Sequence, residues 1–216
     1  MISNVGALRR KGNFIIDGIK FVNGDVTSRK GIIFISYAPN VTVRNCRAET
    51  DWRAGGFIEA GKSPGLLITN NVLLDGDYPI SVSDGKVKII NNTIVNAVMV
   101  SLLFWGPEDV EIRNNIFYRP CVDNKRNPAL LFHDVKGKII SDGNVFWSPV
   151  KEHPTGGWIR DSKAKTLVNS KTLEEWQKLS GMDKNSIHAD PMFVNYKQGD
   201  FRLKAGSPAK GKGADL

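Results

Sequence analysis

Short stretches of alternating apolar and polar residues, each broken by a polar bend, recur along the chain. Residues 87–97, Val-Lys-Ile-Ile-Asn-Asn-Thr-Ile-Val-Asn-Ala, show the unit: an alternating strand, a bend at Asn91-Asn92 and a second short strand. Alternation with a period of two predicts β-strands. Related copies of the unit occupy residues 14–21, 41–48, 66–73, 110–117 and 139–146.

The spacing of the bends predicts how the strands are arranged. Bends at Gly18, Asn45, Asn70, Asn91 and Asn114 recur at intervals of about 21 to 27 residues, a repeat length found in solenoids, arrays and propellers. The interval is too short for a four-stranded propeller blade, and no helical pattern fills the gaps. Asparagine suits the bends because it tolerates the left-handed backbone conformation, and stacked Asn side chains can bond from coil to coil. We therefore predict an all-β parallel β-helix of about six coils.

Each coil is expected to carry three short strands. The bend unit supplies the second and third strands, and the first lies just upstream, at residues 32–36, 56–60, 79–83, 100–105 and 129–133. The junction after the third strand varies most in length. Because variable insertions on one face of a solenoid often form its binding face, we expect function to lie at these junctions.

The repeat is predicted to stop after Phe146, so that residues 1–148 form the coils and residues 149–216 form a capping segment of the same domain. Within the cap, Thr172 and Glu175 form a capping box that should open a short helix, and Gly181 should end it. No capping helix is evident at the other end. An exposed coil end leaves strand edges unpaired, so we expect an N-terminal continuation or a partner to cover it.

Composition narrows the function classes. The 216 residues are 41% hydrophobic and 24% charged, as expected for one globular domain, and no apolar run approaches the ~18 residues that cross a bilayer. The two cysteines, Cys46 and Cys121, do not form a disulfide framework or a metal-binding spacing. The net charge of +8 fits simple solubility or an acidic polymer partner, and because no nucleic-acid motif is present, that partner would be an acidic polysaccharide.

The Val-x-Ile-x-Asn-Asn copies resemble the right-handed parallel β-helix repeats of the pectate-lyase-like superfamily. The tail is similar to the closing segment of many bacterial β-helix proteins, including polysaccharide lyases. This resemblance rests on Glu175-Trp176, Ser180-Gly181, Asp183, Ser186-Ile187, Asp190-Pro191, Phe193, Gly199-Asp200, Leu203 and Ser207-Pro208-Ala209. It implies a right-handed β-helix, and a carbohydrate-active lyase, glycosidase, epimerase or non-catalytic module. An extracellular or periplasmic location is expected for such a protein.

Candidate site residues follow from the strand alternation. Outward positions on the first strands are predicted to be Ser36, Glu59, Ser81, Ser83, Ser101, Trp105 and His133. The junction loops add Asp51, Trp52, Arg53, Asp75, Asp77, Tyr78, Asp123, Lys125 and Arg126. Together these residues would form a groove of carboxylates, cations and aromatic rings. Sugars need such a mixture, because their apolar faces stack on rings and their hydroxyls bond to charged groups.

Two chemistries fit this groove. A lyase needs a basic residue and a cation that neutralises the substrate carboxylate. Arg53, Lys125 or Arg126 could serve as the cation, with Arg126 assigned to the catalytic set, and Asp75 and Asp77 could hold a Ca²⁺ ion. A hydrolase needs two carboxylates, for which Glu59 and Asp77 are the candidates. His133 completes the predicted catalytic set. Substrate binding is assigned to Trp52, Arg53, Trp105 and Lys125.

Three functions remain open at this stage. The first is a carbohydrate-active domain acting on a polysaccharide, expected to be acidic. The second is a carbohydrate-binding or adhesive module without catalysis. The third is the C-terminal part of a larger β-helix enzyme.

Overall fold

The chain winds into a parallel β-helix in which every coil contributes one short strand to each of three sheets. The computed structural model describes residues 5–9, 12–22, 32–49, 55–123, 127–163 and 165–216. Within these ranges, six successive strand triplets follow one another along the axis. The predicted all-β parallel β-helix with one short helix is therefore confirmed.

The sheets run along the helix axis. Sheet 1 contains β1 (Val5–Arg9), β4 (Ile33–Ser36), β7 (Ile58–Gly61), β10 (Ile80–Ser83), β13 (Leu102–Trp105), β16 (Leu130–His133), β19 (Gly157–Asp161) and the antiparallel β20 (Lys165–Asn169). Sheet 2 contains β2 (Ile15–Asp17), β5 (Thr42–Arg44), β8 (Leu66–Thr69), β11 (Val87–Ile90), β14 (Val110–Arg113) and β17 (Ile139–Asp142). Sheet 3 contains β3 (Lys20–Val22), β6 (Arg47–Glu49), β9 (Val72–Leu74), β12 (Thr93–Val95), β15 (Ile116–Tyr118), β18 (Val145–Trp147) and β21 (Ile187–His188).

Strand alternation produces the core. In sheet 1, Ile58, Ile80 and Leu102 occupy equivalent positions on neighbouring strands and are buried, whereas the residue after each of them lies on the outer face. Identical ring types stack in the interior, with the Phe104 and Phe132 ring centroids 4.8 Å apart. Because every coil repeats the same inward positions, the core is one continuous column of apolar side chains.

The bend residues adopt the conformation predicted from their identity. Asn45, Asn70, Asn91 and Asn114 have φ between 52° and 56°, and Gly18 has φ 67°. Asparagine is one of the few residues with a side chain that visits this left-handed region readily. The chain can therefore turn from sheet 2 into sheet 3 within two residues on successive coils.

The second residue of the bend forms a buried asparagine ladder, which we define as Asn71, Asn92, Asn115 and Asn144. Each of these side chains is fully buried. The side-chain amides donate in series along the axis, from Asn71 to Asn92 (2.9 Å), from Asn92 to Asn115 (3.0 Å) and from Asn115 to Asn144 (3.1 Å). Each Oδ1 also accepts the backbone N–H of the preceding coil. The ladder thus satisfies backbone groups that the bends would otherwise leave buried and unpaired.

The coils continue beyond the point where the sequence predicts that they stop. Strand β19 lies within residues 149–165, which were expected to be irregular, and it pairs in parallel register with β16. Strand β21 pairs in parallel with β18. The prediction failed because Gly156 and Gly157 interrupt the apolar pattern, and β21 contains only two residues. The tail therefore extends two of the three sheets and does not simply cover them.

The C-terminal helix closes this end of the core. Helix α1 (Leu173–Ser180) begins at the predicted capping box of Thr172 and Glu175 and ends at Gly181, which has φ 73°. Its Trp176 is fully buried and lies parallel to the Phe132 ring at a centroid distance of 6.2 Å. A Cβ atom at Gly157 would approach the Trp176 ring to 2.8 Å, so only glycine allows β19 and the helix to come this close.

The two cysteines are free thiols, as predicted. Cys46 and Cys121 are both buried, and burial raises the pKa of each thiol. Cys46 occupies the position of the asparagine ladder one coil before Asn71, and its backbone N–H donates to Asn71 Oδ1 at 2.9 Å. In the part of the chain that the structure describes, no helix has the length and apolar character needed to cross a membrane.

Candidate functional site

The turns that lead from sheet 3 back to sheet 1 stack into a ridge along the helix axis. We call this the turn ridge; it comprises residues 75–79, 96–101 and 119–123. Backbone hydrogen bonds join its levels: Val98 N–H donates to Gly76 O at 2.9 Å, and Val122 N–H donates to Ala97 O at 2.9 Å. The variable junctions predicted to carry function are therefore held in register by the coils beneath them. Each side of the ridge borders a cavity.

The cavity on the sheet 1 side has a volume of about 540 Å³ and is lined by carboxyl groups. Glu59 on β7 points into it because the neighbouring Ile58 and Ala60 face the core. Asp77 and Asp123 enter from two levels of the turn ridge, and Tyr78 lines the same space. Burial raises the pKa of the Tyr78 hydroxyl, and the Asp77 carboxylate raises it further. We call this space the acidic cavity.

An apolar surface adjoins the acidic cavity on the outer face of sheet 1. Leu103 and Leu131 occupy neighbouring outward positions and pack with Val100, while Tyr78 and Trp158 lie against them. The outward column passes from Phe34 to Glu59, then to Ser81 and Leu103. From the acidic cavity toward the C-terminal end of the face, acidic and small residues thus give way to apolar and aromatic residues.

A second outward column carries a stacked pair of rings. Trp105 and His133 are paired across β13 and β16, and their ring centroids lie 3.9 Å apart with an interplanar angle of 5°. Trp105 is 46% exposed, so one face of its indole is open to a ligand. Burial lowers the pKa of His133, and the nearby Arg160 guanidinium lowers it further, which favours the neutral ring at pH 7.

The structure brings together some of the predicted site residues and separates others. Glu59 and Asp77 line one cavity, as the hydrolase hypothesis requires. His133 lies three strands away from Glu59 in sheet 1 and two residues further along its strand, a distance of roughly 16 Å at the usual strand dimensions. Asp75 borders the cavity on the opposite side of the ridge, so Asp75 and Asp77 do not share a cavity.

Other predicted residues fall elsewhere. Ser101 was expected to face outward on its strand, but it precedes β13 and is buried. Its backbone N–H donates to Ala129 O of the next coil. Trp52, Arg53, Lys125 and Arg126 lie outside the described residues. Within the described ranges, no group of three or more His, Cys, Asp or Glu side chains is arranged to hold a metal ion. A Ca²⁺ requirement therefore stays a prediction.

The apolar outer surface was missed from the sequence although a signal for it exists. Leu102-Leu103-Phe104 and Leu130-Leu131-Phe132 break the alternation, which means that one apolar residue of each triplet must face outward. Two such runs at the same position of neighbouring coils indicate an apolar patch on the outer face. Exposed patches of this kind often mark ligand-binding surfaces.

Comparison with known protein families agrees with this architecture. The family described as "right handed beta helix region" matches residues 3–117, more than half of the chain. The chain belongs to the right-handed β-helix family. The matched segment includes Glu59, Asp77 and Trp105 and ends before His133. Neither a curated protein nor a solved structure matched the chain.

Proposed function

We propose that this β-helix protein is a carbohydrate-active enzyme that binds a polysaccharide along the outer face of sheet 1 and hydrolyses it at the acidic cavity. The observation that carries the proposal is that Glu59 and Asp77, from successive coils, line one cavity that continues into an apolar and aromatic surface. Sugar rings stack on such surfaces, and carboxylates accept hydrogen bonds from their hydroxyls.

The reaction assigns one role to each carboxyl group. One carboxylic acid donates a proton to the glycosidic oxygen, and the leaving sugar departs with that oxygen as a hydroxyl. The other carboxylate either removes a proton from the attacking water or attacks the anomeric carbon itself, after which water releases the sugar. The net change is the addition of one water across the glycosidic bond.

The lining of the cavity favours hydrolysis over elimination. Its described titratable residues are Glu59, Asp77, Tyr78 and Asp123, and a lyase needs positive charge beside the substrate carboxylate. Carboxylates would also repel a uronate unit at this position, which favours an uncharged sugar there. The acidic polysaccharide expected from the net charge of +8 stays a prediction. The lyase alternative would depend on Arg126 or Lys125.

We expect purified protein to release new reducing ends from a neutral polysaccharide, and Glu59→Gln to lower that rate about 100-fold. The amide cannot transfer a proton, and removal of one catalytic acid or base typically costs two to four powers of ten. Reducing ends and the ultraviolet absorbance of unsaturated products should be measured together on xylan, galactan, polygalacturonate and alginate.

Glu108→Gln is the matched control, because Glu108 is exposed and lies outside the acidic cavity. It should keep the full rate. Unsaturated products would instead support the lyase alternative. A Glu59→Gln enzyme as active as the wild type would refute the assignment of the acidic cavity.

The stacked Trp105–His133 pair specifically favours a second candidate, binding without turnover. Replacing Trp105 with alanine is expected to weaken polysaccharide binding about tenfold, because an aromatic stacking contact contributes ~1 kcal/mol beyond its buried area. Affinity electrophoresis in gels containing each polysaccharide measures this. Tyr37→Ala removes another exposed aromatic residue, which is 54% exposed and lies outside sheet 1, and should leave retention unchanged. Equal retention of both variants would exclude Trp105 from the binding surface.

A further inference from the structure

A second cavity lies on the sheet 3 side of the turn ridge. It has a volume of about 620 Å³ and lies as an open cleft between the ridge and the C-terminal tail. The ridge contributes Asp75, Asn96 and Arg119, and the tail contributes the 3₁₀ turn Tyr196–Gln198. We call this space the tail cavity. The reaction proposed above uses none of these residues.

Three polar side chains occupy the same position on three successive coils and are stacked along the helix axis beside this cavity. Asp75, Asn96 and Arg119 each follow directly after a strand of sheet 3, and each N–H donates to the corresponding carbonyl of the next coil, at 3.0, 2.9 and 2.7 Å. Their φ angles are 66°, 54° and 53°, in the left-handed region. This conformation is uncommon for arginine, and such residues are concentrated at functional sites.

The hydrogen bonds within this stack leave one acceptor and one donor without partners. Asn96 Nδ2 donates to Asp75 Oδ1 at 2.8 Å, which fixes the orientation of the amide because a carboxylate cannot donate in return. Asn96 Oδ1 is therefore the remaining acceptor. Among the described residues, neither Asn96 Oδ1 nor Arg119 Nε has a hydrogen-bond partner, although both atoms are buried. Buried polar atoms of this kind are paired in native proteins by ordered water or by a bound molecule, and here both atoms border one cavity.

The tail side of the cavity is held in place. Arg47 on β6 donates to Glu49 at 2.5 Å and to Gly199 O at 3.0 Å, and its guanidinium lies 5.3 Å from the centroid of the Phe201 ring. A Cβ atom at Gly199 would approach Arg47 Nη2 to 2.6 Å. These contacts of Arg47 join the tail to sheet 3. The tail cavity is consequently a defined space between two fixed walls.

The charges around the tail cavity favour an uncharged ligand. Arg47, Arg119 and Lys197 are opposed by Glu49 and Asp75, which leaves a net excess of only one positive charge. Burial raises the pKa of Asp75, and Glu49 raises it further, whereas Asn96 and Arg119 lower it. An anionic ligand would meet two carboxylates, and a cationic ligand would meet two guanidinium groups.

We propose that the tail cavity binds a neutral sugar through two neighbouring hydroxyls, one donating to Asn96 Oδ1 and the other accepting from Arg119 Nε. A vicinal diol supplies one donor and one acceptor in a single small unit, as the two unpartnered atoms require. This is a binding site without catalysis. It does not depend on the hydrolysis proposed for Glu59 and Asp77, since it lies on the other side of the turn ridge.

The test is a titration of isotope-labelled protein with glucose, galactose and mannose, followed by NMR. Binding should move the side-chain amide signals of Asn96 and the Nε–H signal of Arg119. In Arg119→Asn the affinity should fall at least tenfold; asparagine keeps the left-handed backbone and the N–H bond to Trp147 O. Arg44→Asn removes an exposed arginine of sheet 2 and should bind as the wild type does.

A second pair of measurements distinguishes sugar bound in the tail cavity from sugar bound on the outer face of sheet 1. Glu59→Gln and Trp105→Ala should both keep the Asn96 response, so failure of the proposed hydrolysis would leave this result intact. Three outcomes would overturn the proposal: no response of Asn96 up to the solubility limit of the sugars, an unchanged response in Arg119→Asn, or tighter binding of glucuronate or glucosamine than of glucose.

Discussion

Replacement of Asp183 by alanine is expected to lower the free energy of unfolding by about 4 kcal/mol, the largest loss we expect from any single polar substitution in this protein. Asp183 is fully buried at the end of the asparagine ladder. Its Oδ1 accepts hydrogen bonds from Asn144 Nδ2 at 2.9 Å and Ser186 Oγ at 2.5 Å, and its Oδ2 accepts from Trp176 Nε1 at 2.8 Å. Alanine would leave the buried Ser186 hydroxyl and the Trp176 Nε1–H without their acceptor, and the Asn144 amide would keep only Ile112 O and Ser141 Oγ.

The direction in which the ladder amides donate explains why the Asp183 carboxylate should contribute so much to stability. Every amide in it donates toward the C-terminal end, so the positive ends of the amide dipoles point toward Asp183. A negative charge at that end stabilises the series, and the charge-assisted bonds to it are stronger than bonds between neutral groups. The same carboxylate binds Trp176 of helix α1, so it joins the ladder to the closing helix.

Urea unfolding followed by circular dichroism measures the loss. Asp183→Asn should cost about 2 kcal/mol, since it keeps the shape and tolerates the φ of 54° but supplies only one acceptor oxygen. The control is Glu174→Ala, an exposed change in the first turn of α1 that should cost less than about 1 kcal/mol. A loss below about 1 kcal/mol for Asp183→Ala would show that the ladder needs no charged end.

Replacement of Asn92 by alanine is expected to cost about 3 kcal/mol. Asn92 lies in the middle of the ladder, where its Oδ1 accepts from the Asn71 backbone N–H and side-chain amide. Its Nδ2 donates to Ile68 O, Ile90 O and Asn115 Oδ1. Alanine would leave the buried Asn71 backbone N–H without an acceptor, remove the hydrogen bonds to Ile68 O and Ile90 O, and open a small cavity.

The neighbouring bend residue provides the matched control. Asn91 has φ 55° and is half-buried, so Asn91→Gly keeps the backbone conformation and removes no ladder bond. Its cost should stay within about 1 kcal/mol. Equilibrium unfolding of both variants, with the slope against urea compared, measures the difference. Equal losses from the two substitutions would contradict the distinction between ladder and bend residues.

The turn ridge explains why loop sequences alone could not define the site. Asp75 and Asp77 are separated by one residue, and both were natural candidates for one metal site. In the structure Asp75 completes the turn out of sheet 3, with φ 66°, and borders the tail cavity. Asp77 borders the acidic cavity on the other side. Which side a ridge residue faces depends on the turn geometry at each level of the stack.

The sequence by itself determined the coil. Period-two alternation and left-handed Asn bends are local properties, so the strands, the three sheets and the outward position of Glu59 and Trp105 could be predicted from them. Helix α1 was predicted equally well because its capping box and its terminal glycine lie within a few residues of each other. Local signals suffice wherever a residue and its partner are close in sequence or one repeat apart.

Only the tertiary structure decided where the polar groups meet. Asp183 ends a ladder whose last asparagine lies 39 residues earlier, and Arg47 contacts Gly199 across 152 residues. No repeat period relates these positions. They come together because the tail folds back over the coils, and that path depends on packing around Trp176 and Phe201. The coil is therefore encoded locally, whereas its closure and the tail cavity arise from contacts between distant segments.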